Sequence, residues 1–178
     1  MIPGGSEAAE IVLRPLREAD IARVIEIASA LPHAPHWPRE AYRTALDPAA
    51  LPRRVALAAE ALNARIQKTH PEASALVGFA VASVLLPQAE LETIAVEAQG
   101  QHRGIGRLLL TALLQELRAA GVSEVLLEAR ASNAPALGLY AAVGFQRTGV
   151  RPKYYADPQE DGVLMALQFL SLPVQQES

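Results

Sequence analysis

Thr93-Ile-Ala-Val-Glu-Ala-Gln-Gly-Gln-His-Arg-Gly-Ile-Gly-Arg107 runs from an apolar stretch, through a polar turn carrying Gly104 and Gly106, into a long helical pattern. Glycine lets a backbone approach a ligand closely, and the first turn of a helix offers unpaired N–H groups with a partial positive charge. A diphosphate therefore fits at this strand-to-helix junction, with Arg103 and Arg107 adding charge beside it. Two glycines on their own need do no more than shape the turn. The usual nucleotide-binding alternatives fit poorly. A P-loop needs Gly-Lys-Ser/Thr, which is absent, and a dinucleotide fingerprint needs a third glycine at 109, where Leu109 stands.

Downstream, 104–120 carries Ile105, Leu108, Leu109, Ala112, Leu113, Leu117 and Ala120 at helical spacing, with Gly121 where a C-terminal cap is wanted. The pattern then predicts a strand over 122–130, a helix over 134–143, a strand over 145–150 and, after the Asp157-Pro158 turn, a last strand over 162–169. Upstream, 11–16 reads as a strand. Asp20 stands as the N-cap of a helix bearing Ile21, Val24, Ile25 and Ala28. A proline-rich turn, Leu31 to Pro38, leads into a second helix ending near Leu46 at Asp47-Pro48. Strands are expected over 54–62, 76–86 and 90–96, with the polar segment from Asn63 to Ser74 as a mobile loop and the tail after Leu172 frayed. Alternating strands and helices imply an α/β (α+β) fold, a mixed and mostly antiparallel sheet with helices on both faces.

The 178 residues, 51% hydrophobic and 20% charged, suit one domain spanning 1–178 rather than two. The longest apolar run, Leu76 to Leu86, is shorter than the roughly 18 residues of a membrane helix, and Met1 to Glu10 lacks a signal-peptide pattern. A cytoplasmic protein without membrane contact is expected. With no cysteine, thiolate chemistry and disulfides are excluded, and a net charge of −3 argues against a broad nucleic-acid footprint.

Gln101-His-Arg-Gly-Ile-Gly106 resembles the Gln/Arg-x-x-Gly-x-Gly/Ala signature of the GNAT superfamily. Leu126 to Tyr140 followed by Val143-Gly-Phe145 resembles the second half of that family's core. Arg151-Pro-Lys-Tyr-Tyr155 and Glu160-Asp-Gly-Val-Leu-Met-Ala-Leu167 are similar to the ends of ribosomal-protein-alanine N-acetyltransferases, the RimI-like enzymes. The likeness is strong over 90–167. Before that, only the Pro-His-Trp-Pro38 region and Tyr42 carry it. The resemblance implies a V-shaped opening in the sheet for acetyl-CoA, a co-substrate, and a protein N-terminus, that of a ribosomal protein, as acceptor. It implies pyrophosphate contacts from Gln101, His102, Arg103, Gly104, Ile105, Gly106 and Arg107. The backbone of Ile94, Ala95 and Val96 would pair with the pantetheine arm like an added strand.

Acetyl transfer to an amine needs a group that takes the amine proton, polarisation of the thioester carbonyl, and a proton for the departing thiolate. By the resemblance, Glu128 is the first candidate for the base. Glu90 and Glu92, two residues apart on one strand face, compete with it. Tyr140 corresponds to the family tyrosine near the sulfur and is assigned as general acid, although its helical spacing with Leu137 and Ala141 would also suit plain packing. Asn133 is expected to cap a helix, to bond the pantetheine arm, or both. Trp37, Tyr42, Tyr154 and Tyr155 are expected in the substrate wall. His33 and His36 stand i, i+3 in a turn with no third ligand evident, so no metal is expected. Two other readings stand beside the leading one: acetylation of a small amine, an antibiotic or a lysine side chain, and a non-catalytic acyl-CoA-binding sensor module.

Overall fold

The structure, a computed structural model, describes residues 10–62 and 76–169. The segment from Asn63 to Ser74 and the tail after Leu172 lie outside the described residues. Seven strands form one sheet in the order β1-β2-β3-β4-β5-β7-β6. They are β1 (Glu10–Pro15), β2 (Arg53–Leu62), β3 (Leu76–Leu85), β4 (Gln88–Val96), β5 (Glu124–Arg130), β6 (Gln146–Ala156) and β7 (Gln159–Gln168). Only β4 and β5 run parallel, and the helix between them supplies the crossover that a parallel pair requires.

Helices α1 (Ile21–Ser29) and α2 (Arg39–Leu46) cover one sheet face, where Ile21, Val24 and Tyr42 pack with Phe79 and Val81. Helices α3 (Ile105–Ala119) and α4 (Ala134–Val143) contribute to the second core, where Leu109, Leu110, Leu113 and Leu117 are fully buried with Val125. Burying each such leucine contributes roughly 1.5–3 kcal/mol, so this helix anchors the centre of the sheet. The apolar face of α3 is rotated from the sequence expectation. Leu110 and Leu114 are buried, whereas Leu108 is 43% exposed, because the long apolar run offered more leucines than one face could bury.

Asp20 stands at the N-cap position of α1 as expected, but its side chain makes no capping hydrogen bond to that helix. A 3-10 turn over Glu18–Asp20 precedes the helix, and the buried Asp20 carboxylate accepts from the Arg17 N–H at 2.8 Å and from Arg14 at 2.7 Å. An unpaired buried carboxylate would be costly, so the guanidinium of Arg14, itself raised and also bonded to Glu60, is its counter-charge. Strand β6 is longer than expected. It continues to Ala156 through an irregularity in which Pro152, Lys153 and Tyr154 face Asp161 alone.

Two irregularities shape the sheet's centre. The β3–β4 register passes from Ala82↔Leu91 to Val81↔Thr93, leaving Glu92 as the extra residue of a bulge. Side-chain phase inverts there: Ala89 and Leu91 pack in the α3 core, as do Ile94 and Val96, while Ala95 joins the α1–α2 core. Glu90 and Glu92 still share the face opposite Ala89 and Leu91, where Glu92 meets Arg54, and the alternation inverts only beyond Glu92. The β4–β5 pairing ends at Glu90↔Leu126, although β4 continues to Val96 and β5 to Arg130. Beyond that point the strands part, and among the described residues the β4 edge facing β5 has no strand partner.

Candidate active site

A cleft of about 820 Å³ opens where β4 and β5 separate. One wall is β4 from Leu91 to Val96, and the opposite wall is β5 at Glu128, Ala129 and Arg130. Unpaired strand N–H and C=O groups seek partners, so the free β4 edge can take an extended amide-bearing chain as an added strand.

At one end of the cleft lies the turn from Gln101 to Gly106. The Gln101 side chain donates to the Val96 carbonyl at 3.1 Å, tying the turn to the end of β4. Gly104 takes φ +82, a left-handed conformation that an L side chain resists, and a Cβ there would meet open space, not protein. The turn therefore leaves room against the first turn of α3, where helix N–H groups lack intrahelical acceptors. These features fit a diphosphate linked to an amide-bearing arm along β4. Gln101, His102, Gly104, Gly106 and Arg107 line the cleft here, while Arg103 and Ile105 are not among its lining residues. Ile105 turns its side chain into the α3 core, leaving only its backbone for a ligand.

Glu128 and Tyr140 face the same cleft. Burial pushes the Glu128 carboxyl above the usual carboxylate value, Arg151 opposes this, Glu90 adds to it, and the Tyr155 hydroxyl works against it. Gly162 makes room for this carboxylate: a Cβ there would lie 3.0 Å from Glu128 Cδ and Oε1. Burial raises the Tyr140 phenol to about 12, so it keeps its proton throughout the neutral range. Its ring packs 5.9 Å from that of Phe145. Asn133 caps α4, its side-chain oxygen accepting from the Ala136 N–H at 3.3 Å, and it also lines the cleft.

The three glutamates stand differently. Glu92 lines the cleft but is held by Arg54 at 2.7 Å and 3.0 Å, a bidentate pair. Glu90 is outside the lining yet near enough to influence Glu128. Among the described residues Glu128 has only the half-exposed Arg151 as a salt-bridge partner, at 3.2 Å.

The aromatic wall differs from expectation. Tyr42 is fully buried, packed against Trp37 and Phe79 at ring separations of 5.2 and 6.1 Å, so it belongs to the core and not to an acceptor wall. The apolar face of α2 directs it inward. Trp37 is partly buried against the same core and does not line the cleft. The wall on that side is the α1–α2 turn, with Leu31, Pro32, His33 and Pro35. The proline-rich composition marked that turn, but nothing in it signalled which residues face the opening. Tyr155 lines the cleft and Tyr154 does not. Tyr154 is 51% exposed and meets Tyr155 edge-on at 5.1 Å. Among the described residues no group of three or more potential ligands could hold a metal ion, His33 and His36 included.

A sheet that parts beside a glycine turn at a helix start, with a carboxylate and a phenol in the gap, fits the class of transferases that use an acyl carrier. The chain belongs to the acetyltransferase (GNAT) family, whose model matches residues 23–145. It is 45% identical over 94 residues to the [ribosomal protein bS18]-alanine N-acetyltransferase of Salmonella typhimurium. That match covers 52% of this chain and 64% of the relative, so the chain spans somewhat under two thirds of that protein's length. The crystal structure of the ribosomal-protein-S18-alanine N-acetyltransferase from Escherichia coli superposes with a TM-score of 0.76 at 28% identity, covering 95% of this chain and 100% of that one. The yncA protein of Salmonella typhimurium, solved with its cofactor acetyl-CoA, shares the fold at a TM-score of 0.72 and 20% identity, covering 94% and 99%.

Proposed function

We propose that this chain is an acetyl-CoA-dependent N-acetyltransferase acting in the cytoplasm on the N-terminal alanine α-amine of a ribosomal protein, by direct transfer in a ternary complex. The observation that carries this reading is the joint opening of the free β4 edge, the Gly104 turn, Glu128 and Tyr140 into one cleft. The names of the Salmonella and Escherichia coli relatives support the acceptor. The small residues of the α1–α2 turn, Ala30, Ala34 and Pro35, suit a short first side chain.

Acetyl-CoA supplies the activated acetyl thioester when bound. Gln101, Gly104, Gly106 and Arg107, with the backbone N–H groups at the start of α3, would hold its pyrophosphate. Residues 94–96 would pair with the pantetheine arm, and a backbone N–H of β4 would polarise the thioester carbonyl. Glu128 takes the proton from the acceptor ammonium, directly or through a water, so that the nitrogen lone pair can form the new C–N bond. Its raised affinity for a proton suits that task, and unlike Glu92 it is not held in a bidentate pair with Arg54. As the C–S bond breaks, Tyr140 donates its phenolic proton to the departing thiolate, and the second proton shed by the new amide nitrogen replaces it on the phenol. Glu92 stays in its bidentate pair with Arg54 at the cleft wall.

The test is mass spectrometry of acetyl transfer from acetyl-CoA to short peptides differing only in their first residue. Preference for alanine supports the reading. Binding of acetyl-CoA with no peptide modified would remove it.

A further inference from the structure

Tyr155 reaches the cleft because β6 departs from regular pairing. Arg151 pairs with Gly162 and Tyr155 with Glu160, leaving Pro152, Lys153 and Tyr154 opposite Asp161 alone. Lys153 adopts φ 53 in this excursion, and its N–H donates to Asp161 Oδ1 at 2.8 Å. Strand pairing resumes at Tyr155 but leaves its ring to be oriented by a neighbouring side chain.

Arg130 on β5 does so. Its guanidinium carbon lies 4.2 Å from the Tyr155 ring centroid, close enough for a cation–π contact. The guanidinium is itself fixed at several points: to Glu160 Oε1 at 2.7 Å, to the Asp157 carbonyl at 3.2 Å and to the Pro158 carbonyl at 3.4 Å. Glu160 is anchored in turn by the Ser132 N–H at 3.0 Å, and the Arg130 guanidinium holds its carboxyl down to about 2. Arg130, Glu128 and Tyr155 all line the cleft, so the ring that Arg130 holds shares a wall with the candidate base.

We propose that Arg130 and Glu160 form a positioning pair that holds the Tyr155 ring so that its hydroxyl orients the Glu128 carboxylate for proton abstraction from the acceptor amine. Neither residue of the pair meets the reacting atoms; both act through Tyr155. This rests on Glu128 being the base. The pair also explains why the turn between β6 and β7 is tied to β5 through one arginine: the same contacts that close the turn set the ring. Loss of the pair should leave acetyl-CoA affinity unchanged and lower turnover, because the pyrophosphate turn lies on the other wall of the cleft.

The experiment is a double-mutant cycle of Arg130→Met and Tyr155→Phe, read as kcat and KM for a short peptide with N-terminal alanine. Acetyl-CoA affinity and thermal melting are measured on each variant, with Glu128→Gln as control. The expected result is a loss of about tenfold or more in kcat for Tyr155→Phe and a similar loss for Arg130→Met. The double variant should be no slower than Tyr155→Phe alone, since without the hydroxyl there is nothing left for Arg130 to place. Equal losses from Arg130→Met in both backgrounds, or no loss at all, would overturn the proposal. If Arg130→Met does not fold, Glu160→Gln carries the same cycle, removing the anchor while leaving the guanidinium in place. A Glu128→Gln variant with wild-type kcat would instead remove the base assignment itself, whatever the cycle shows.

Discussion

Arg151 Nη1 lies 3.2 Å from Glu128 Oε2, although the two residues stand on β6 and β5 and β7 runs between them. The bridge passes over Gly162, which faces Arg151 on one side and Arg130 on the other and has no Cβ to obstruct the carboxylate. The candidate base is thus held between influences of opposite sign, which makes its protonation adjustable by single substitutions.

The acid limb of kcat/KM should fall above the ordinary glutamate value, because burial raises the Glu128 carboxyl and activity is lost as pH falls through that raised pKa. Arg151→Gln removes a nearby positive charge that favours the carboxylate, so the limb should move to higher pH. Glu90→Gln removes a like charge and should move it to lower pH. Opposite displacements in a pH–rate series check the assignment. An unmoved limb in both variants would separate Glu128 from the rate.

Tyr140→Phe should lower kcat by about 100-fold or more if the phenol protonates the thiolate, since positioned proton transfer contributes on the order of 10²–10⁴. Acetyl-CoA affinity and the melting temperature should change little, because the ring keeps its packing against Phe145. Pre-steady-state turnover read beside a melting curve distinguishes a chemical loss from a folding one.

Gly104→Ala should weaken acetyl-CoA binding several-fold and destabilise the protein by about 1–2 kcal/mol, the cost of a side chain in the left-handed region. The added methyl meets no protein atom within 4 Å, so the effect comes from backbone conformation and from the ligand's own space. Calorimetric titration with CoA, paired with chemical denaturation, measures the two parts separately.

Tyr42→Phe should leave peptide KM and kcat unchanged and alter stability by no more than about 1 kcal/mol, because the buried hydroxyl has no hydrogen-bond partner among the described residues. Tyr42→Ala should cost about 3–5 kcal/mol as a core cavity. A raised peptide KM in Tyr42→Phe would return this residue to the acceptor wall.

The helix at 134–143 was legible to the residue. Asn133 offers a cap, Pro135 suits a first turn, and Gly144 ends the run at positive φ. The strand-to-helix turn at Gly104 was equally legible, since its demands are local. What sequence could not supply was pairing across strands. Arg54 reaches Glu92 over β3 and Arg151 reaches Glu128 over β7, partnerships set by strand order and by small residues in the intervening strand. The bulge at Glu92 likewise appears only when β3 is laid beside β4. The aromatic residues misled for a related reason: Trp37 and Tyr42 look alike as wall or core until Phe79, far along the chain, supplies the surface they pack on.

The most direct test of the central claim is acetyl transfer, followed by mass spectrometry, to peptides that differ only at the first residue, with wild type and Glu128→Gln side by side. The account predicts modification of the alanine peptide at its α-amine by wild type and a rate lower by about 100-fold or more in Glu128→Gln. A Glu128→Gln enzyme as fast as wild type, or a wild type that binds acetyl-CoA and acetylates no N-terminus, would contradict it.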